Sequence, residues 1–234
     1  MITAVRGGAE LSAVADRAAL DLAGASAADV LRWAADEFGS GLAVTASMQD
    51  TVLVHLASKT LPGIDVLFLD TGYHFIETIG TADAVEAVYD VSLRRLLPLQ
   101  TVAEQDATYG KDLFGRDPDL CCALRKIAPL SLALTGYEAW ATGVRRAESP
   151  TRVGTPVVQF DAKRGKVKIA PLAAWSDDDV AAYITQNNVL VNPLLGPDYP
   201  SIGCEPCTAR VLPGQDPRAG RWAGLAKTEC GINT

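Results

Sequence analysis

The sequence predicts an α/β domain in which helices flank a mostly parallel β-sheet. Short apolar runs, typical of buried strands, alternate with longer segments of helical periodicity. No low-complexity linker or internal repeat interrupts this alternation. From Asn192 onwards, proline and glycine residues are frequent and the apolar periodicity is lost. We therefore expect one α/β domain with two leading helices over residues 1–190, followed by a C-terminal segment over residues 191–234.

Periodicity and capping residues place the elements of the first half. Leu11, Val14, Ala15, Ala18 and Leu22 recur at helical spacing. Ser26 and Asp29 form the capping pair of a second helix. The predicted elements are, in order, these two helices (the second ending at Phe38), a strand over Leu42–Ala46, a polar elbow over Ser47–Asp50, a helix through Val52–Ala57, a strand over Val66–Leu69, a turn over Asp70–Gly72, a helix over Phe75–Tyr89 and a strand over Val91–Leu96.

The second half contains further capping signals and a hairpin pattern. Thr101 with Glu104, and Ser176 with Asp179, are spaced as helix caps. The remaining predicted elements are a helix over Asp119–Thr135 bent at Pro129, a strand over Glu138–Thr142, a hairpin of Val157–Phe160 with Val167–Leu172, and a helix from Ser176 to about Gln186.

Composition narrows the class of protein. The 234 residues are 48% hydrophobic and 21% charged, as in an ordinary globular protein, with a net charge of −7. This acidity argues against nucleic acid or an anionic membrane as partner. The first twenty residues have no apolar signal-peptide core, and no apolar stretch is long enough to span a membrane. We expect a cytoplasmic protein. The sequence does not distinguish a monomer from an oligomer.

Four of the five cysteines form two close pairs. Cys121 and Cys122 are adjacent, and Cys204 and Cys207 form a CxxC motif. Four thiolates can hold zinc or an iron–sulfur cluster. An adjacent pair suits two irons of a cubane better than one zinc ion, although zinc stays open. Alternatively, the first pair fills the core and the CxxC is a redox dithiol.

Cys230 stands apart, four residues from the end of the sequence. A cysteine on a movable segment suits a nucleophile that attacks a substrate and is then released by an external reductant. The alternative is a tail thiol without function.

The motifs together resemble a known family. These motifs are Cys121-Cys122-x-x-Arg125-Lys126, Thr142-Gly143-x-Arg145-Arg146, Ser149-Pro150-Thr151-Arg152, Pro171-Leu172-x-x-Trp175, Ser201-Ile202-Gly203-Cys204-x-Pro206-Cys207 and Glu229-Cys230-Gly231. In this order they resemble the bacterial, cluster-containing assimilatory adenosine 5′-phosphosulfate (APS) reductases, from the Asp70 turn to the tail.

This resemblance implies a fold, a cofactor and a reaction. The fold is adenine nucleotide α-hydrolase-like, or Rossmann-like. Cys121, Cys122, Cys204 and Cys207 would hold one [4Fe–4S] cluster. Cys230 would attack the sulfur of APS, AMP would leave, and thioredoxin or a similar dithiol would release sulfite from the S-sulfocysteine.

Displacing AMP builds negative charge beside an anionic phosphosulfate, and this requires fixed cations. The cationic candidates are Arg125, Lys126, Arg145, Arg146, Arg218 and Arg221. Other expected substrate contacts are Ser47 at the elbow, Asp70 and Gly72 at the turn, and Gly143 after a strand. Met48 and Gln49 occupy positions where related pyrophosphatase loops carry glycines, which argues against ATP-splitting chemistry at this elbow.

Three other functions compete with this hypothesis. The first is reduction of the 3′-phosphorylated substrate (PAPS), whose reductases generally lack the four cluster cysteines. The second is a non-catalytic zinc or iron–sulfur module, and the third is a sulfur transferase acting on RNA, which the net charge disfavours. His55 is expected in the core. Asn233 stands where the family commonly has His; we expect activity to survive this difference.

Overall fold

A computed structural model describes residues 6–232, so Asn233 lies outside the described part. Within these residues, six strands form one sheet. The strands are β1 (Leu42–Ala46), β2 (Ile64–Leu69), β3 (Val91–Leu96), β4 (Ala139–Thr142), β5 (Val158–Asp161) and β6 (Lys166–Ile169). Their order is β3-β2-β1-β4-β6-β5, and every neighbouring pair is parallel except β5 with β6. The predicted mostly parallel sheet and its hairpin are confirmed.

The helices lie where caps and periodicity predict them, with one short helical turn, Leu113–Arg116, added before the cysteine pair. They are α1 (Gly8–Asp21), α2 (Ala27–Phe38), α3 (Val52–Thr60), α4 (Ile76–Val88), α5 (Val102–Tyr109), α6 (Leu113–Arg116), α7 (Pro118–Cys122), α8 (Ala128–Ala133) and α9 (Asp177–Asn187). The Ser26, Thr101 and Ser176 side chains each accept a hydrogen bond from the backbone amide three residues on. Between residues 6 and 232, no helix has the length and apolar character needed to cross a bilayer.

The helix predicted over Asp119–Thr135 is continuous but irregular. Its irregularity is a π turn over Ala123–Ile127, one turn earlier than the bend expected at Pro129. Proline has no amide hydrogen, so the carbonyl four residues before it receives no helical bond, and the wider turn precedes it. This turn carries Arg125 and Lys126.

Strand alternation divides the core between the two faces of the sheet. On β1, Leu42 and Val44 pack into the larger core with α1–α4 and α9. Ala43 points the other way, into a smaller cluster with Trp140 of β4, Leu130 of α8 and Leu134 just after α8. Ile232, at the end of the described chain, packs against this second cluster. The C-terminal segment therefore returns to the sheet; a domain boundary near residue 190 stays a prediction.

Candidate active site

A cleft of about 210 Å³ opens at the carboxyl ends of β1, β2 and β4. The chain runs from β1 to β2 on one side, whereas β4 pairs with the other side of β1. Loops diverge at such a switch point, and this is where open α/β sheets bind ligands. The predicted site residues Ser47, Lys126, Gly143, Arg218, Arg221 and Cys230 all line the cleft.

The elbow between β1 and α3 is held in an unusual backbone conformation. Met48 has a φ of 59°, in the left-handed region that costs a non-glycine residue about 1–3 kcal/mol. Its side chain is fully buried, and this burial offsets the strain. Ser47 is exposed at the mouth of the cleft. The elbow thus adopts a backbone conformation that favours glycine, although the residue there is Met48.

The C-terminal segment fixes this elbow from outside. Asn192 is fully buried, and its Nδ2 donates to the Met48 carbonyl at 3.2 Å and to Thr78 Oγ1 at 2.9 Å. The Asn192 amide donates to the Gln49 carbonyl at 3.0 Å. Gln49 Oε1 accepts from the Ile202 amide at 2.8 Å. Residues 192–202 therefore position the loop that faces the cleft.

Four cationic side chains line the cleft: Lys126, Arg152, Arg218 and Arg221. Lys126 is buried. Although burial by itself lowers its pKa, the nearby thiol groups of Cys204 and Cys230 outweigh burial and raise the pKa, so the ammonium form is favoured. The Arg221 guanidinium donates to the Ile202 carbonyl at 3.1 Å and lies 4.7 Å from the Trp222 ring centroid. This set of cations can receive a polyanionic ligand.

Cys230 reaches the cleft on the C-terminal tail, residues 223–232. Its side chain is half-buried, and it lines the cleft with Glu229 and Ile232. Lys227 of the tail forms an ion pair with Asp119 of α7 and lies 5.5 Å from the Trp222 ring centroid. A thiol held beside several cations is suited to act as a nucleophile.

The other four cysteines surround a second, smaller cavity next to the cleft. Cys121, Cys122, Cys204 and Cys207 all line it. Burial, followed by the neighbouring thiols, raises the pKa of Cys121 to about 12 and that of Cys207 to about 11. Four such thiolates repel one another unless positive charge lies between them. Within residues 6–232, no three Cys, His, Asp or Glu side chains form a site for a single metal ion.

Five predicted substrate contacts lie outside the cleft. Asp70 accepts a hydrogen bond from the Gly72 amide at 3.1 Å and shapes the turn after β2. Arg125 lines the cysteine cavity, where it donates to the Thr71 carbonyl and lies 5.2 Å from the Tyr73 ring centroid.

Arg145 and Arg146 also point elsewhere. Arg145 pairs with Asp177 at the start of α9 at 2.8 Å, and Arg146 donates to the Thr155 carbonyl at 2.8 Å. These arginines hold neighbouring loops together. Because both residues follow a strand end, the sequence predicted that they contact the ligand. In the structure, these partners turn both side chains away from the cleft.

Sequence reasoning missed Arg152, Glu148 and Glu229 as members of the cleft. Arg152 and Glu229 lie within motifs noted above, yet nothing in their spacing indicates that they meet. Glu148 carries no sequence signal. His74 also lines the cleft, and its Nε2 lies 2.7 Å from the Leu69 carbonyl, just before α4.

The sheet order and the flanking helices define a class: α/β proteins with an adenine nucleotide α-hydrolase-like fold. FMN adenylyltransferase from Candida glabrata shares this fold, with a TM-score of 0.54 and 13% identity over 86% of this chain and 72% of that chain. A phosphoadenylyl-sulfate (PAPS) reductase from Candida auris is closer, with a TM-score of 0.71 and 32% identity over 84% of this chain and 96% of that chain.

The family follows from the sequence comparison. Residues 41–210 match the phosphoadenosine phosphosulfate reductase domain. The adenosine 5′-phosphosulfate reductase of Streptomyces coelicolor is 63% identical over 224 residues, which cover 96% of this chain and 95% of that protein. The chain belongs to the phosphoadenosine phosphosulfate reductase family.

Proposed function

We propose that this protein reduces adenosine 5′-phosphosulfate to sulfite and AMP in sulfate assimilation. The observation that carries the proposal is that Cys230 lines the same cleft as Lys126, Arg218 and Arg221, at the carboxyl ends of the central strands. The 63% identity to an APS reductase supports the unphosphorylated substrate. PAPS is the second candidate substrate, because the structure with 32% identity is that of a PAPS reductase.

In the first step, the Cys230 thiolate attacks the sulfur of the sulfonate group. A bond forms between Cys230 Sγ and that sulfur, and the bond from sulfur to the bridging oxygen breaks. AMP leaves with the electron pair, so the cations of the cleft stabilise charge that grows on the phosphate. The product on the enzyme is S-sulfocysteine.

In the second step, a dithiol of the thioredoxin type attacks Cys230 Sγ. Sulfite leaves with the electrons of the broken bond, and a mixed disulfide forms. The second thiol of the reductant then releases the Cys230 thiolate and leaves the reductant as a disulfide. The dithiol loses two electrons and the sulfur gains two, so the reaction balances.

We assign Cys121, Cys122, Cys204 and Cys207 as the ligands of one [4Fe–4S] cluster. The four side chains line one cavity, and four neighbouring thiolates need positive charge between them, which the irons of a cluster would supply. When bound, the cluster would neutralise the four thiolates and modify the field at Lys126, while the dithiol supplies both electrons.

Intact mass spectrometry tests the function. Anaerobically purified protein is mixed with APS without reductant, and the adduct is mapped to a peptide. We expect a sulfonate adduct on Cys230 that disappears when thioredoxin is added and is absent from Cys230→Ser. An adduct formed with PAPS but not with APS would assign the second substrate, and no adduct with either would refute a reductase that works through Cys230.

A further inference from the structure

Glu229, the residue before Cys230, is held by side chains from distant parts of the chain. Its Oε1 accepts from Arg152 Nε at 2.8 Å and its Oε2 accepts from Arg152 Nη2 at 2.8 Å. Thr151 Oγ1 donates to Oε1 at 3.1 Å, and Arg218 Nη2 donates to Oε2 at 3.4 Å. A two-pronged arginine–carboxylate pair is among the strongest and most directional polar contacts in proteins.

The pair is largely shielded from solvent. The Glu229 and Arg152 side chains are each 14% exposed. Burial by itself raises the pKa of Glu229, but the bonds and charge of Arg152 outweigh it and hold the pKa below its ordinary value. The carboxylate is therefore charged at neutral pH, and removing it would leave a shielded arginine partly unpaired.

All three guanidinium nitrogens of Arg152 bond carboxylates, in contrast to two other cations of the cleft. Its third donor group, Nη1, bonds Glu148. Among residues 6–232, Lys126 and Arg221 have no carboxylate partner. The cations thus divide into those that hold the tail and those whose charge is left for an anion.

Because Cys230 directly follows Glu229, the contacts of Glu229 also restrict the position of Cys230. Consecutive Cα atoms are about 3.8 Å apart, so fixing Glu229 leaves Cys230 little freedom. Arg218 Nη2 also donates to the Thr228 carbonyl at 2.9 Å. On the other side of Cys230, Ile232 packs against the Trp140 cluster.

We propose that Glu229 is a positioning residue that latches the tail to Arg152 and so holds Cys230 at the cleft for attack. The inference rests on the proposed function, because it assigns how the same nucleophile is presented. It predicts that opening the latch exposes the thiol and slows its reaction with substrate, while the nucleotide site itself stays intact.

Glu229→Ala and Glu229→Gln test the latch with three measurements. These are the rate of Cys230 alkylation by iodoacetamide in the absence of nucleotide, the Kd of AMP, and the single-turnover rate of Cys230 sulfonation at saturating APS. For Glu229→Ala we expect alkylation to rise about tenfold and sulfonation to fall about tenfold, with the Kd of AMP changed less than about twofold. Glu229→Gln keeps the side-chain volume, and its alkylation and sulfonation rates should lie between those of Glu229→Ala and the unsubstituted protein.

Glu86→Ala is the matched control, since Glu86 pairs with Arg95 on the exposed surface and should leave all three values unchanged. If Glu229→Ala tightens AMP binding and leaves alkylation and sulfonation as they were, Glu229 only competes with the ligand's anion, and the latch is wrong. If the unsubstituted protein forms no sulfonate adduct, the proposed function fails. The alkylation rates would then still decide whether Glu229 holds the tail.

Discussion

At the scale of single residues, Gly203 determines where the Arg221 guanidinium can lie. A Cβ atom on Gly203 would fall 2.2 Å from Arg221 Nη2 and 2.5 Å from its Cζ. The guanidinium therefore rests directly on the glycine backbone, between the Ile202 carbonyl and the Trp222 ring. Glycine is required between Ile202 and Cys204 because a side chain there would displace a cation from the cleft.

Gly203→Ala is expected to weaken nucleotide binding with little loss of stability. Arg221 must leave its place, and losing one such contact corresponds to an increase of about tenfold in the Kd of AMP, or about 1.4 kcal/mol. Calorimetric titration with AMP, together with thermal unfolding, measures both effects. Gly136→Ala is the control, since a Cβ there meets nothing within 4 Å. An unchanged Kd for Gly203→Ala would mean that Arg221 does not contact the nucleotide.

Sequence patterns selected candidate site residues more readily than the partners of those residues. The five cysteines and Lys126 stand in short motifs, so residue type and spacing were enough to select them as candidates, whereas Arg221 stands outside these motifs. The bond between Arg152 and Glu229 joins positions 77 residues apart. No local pattern encodes such a pair, because it depends on how the tail folds back over the sheet.

At the scale of elements, α3 and α9 are joined by a buried histidine. His55 Nδ1 lies 2.8 Å from the Tyr183 hydroxyl, and the His55 ring makes an edge contact with Tyr89. The core position predicted from the apolar pattern around His55 is confirmed, since the residue is 8% exposed. The tyrosine partner on α9 could not be predicted, because it depends on the packing of two helices far apart in sequence.

This histidine makes stability depend on pH. Burial, and secondarily Lys59, lower the pKa of His55 below its ordinary value of 6.5. The unfolded chain therefore binds a proton more readily than the folded one, so the free energy of unfolding falls as pH drops through about 6.5 towards the folded pKa.

Urea unfolding at about pH 7.5 and about pH 5.5 measures this effect. The unsubstituted protein should lose more stability between the two pH values than His55→Gln, in which the titrating group is absent. Equal losses in the two proteins would show that His55 does not carry the dependence.

The bounds of β1 and β3 match the predicted ones. In β1 a short apolar run defines the strand, whereas β3 has the mixed sequence VSLRRL and stands out as the short segment between a helix and the Thr101 cap. The π turn before Pro129 and the left-handed Met48 were not predictable. Pro129 predicts an irregular helix but not the form of the irregularity, and the left-handed Met48 depends on the burial of its side chain. Both conformations place groups at the cleft or the cysteine cavity.

At the scale of the whole molecule, one site collects residues from nearly the full length of the chain. The elbow follows β1, Lys126 comes from the π turn, Arg152 from the loop after β4, and Cys230 from the tail. The alternation of strands and helices indicated a parallel sheet and predicted a ligand site at its carboxyl edge. It did not indicate that residues 192–232 return to hold both the elbow and Cys230, since those residues have little periodicity of their own.

Opening the Glu229–Arg152 pair separates two opposite charges into solvent, and ionic strength is therefore expected to act on the two half-reactions in opposite directions. The Debye length shrinks from about 10 Å at 0.1 M salt to about 3 Å at 1 M, so added salt favours the open tail, in which the two charges are apart, over the closed one. The first step needs the tail held down, whereas the second needs Cys230 within reach of a thiol. Added salt should therefore slow sulfonation at saturating APS and speed release of sulfite from preformed S-sulfocysteine.

Rapid-quench measurement of each step, with uncharged dithiothreitol as the reductant, separates these effects. Glu229→Ala should reduce both responses to salt and leave the smaller one due to the Lys227–Asp119 pair, and two half-reactions that shift in the same direction would contradict the expectation. The salt content of the solution would then decide which half of the catalytic cycle limits turnover, through one ion pair that never touches the sulfur being reduced.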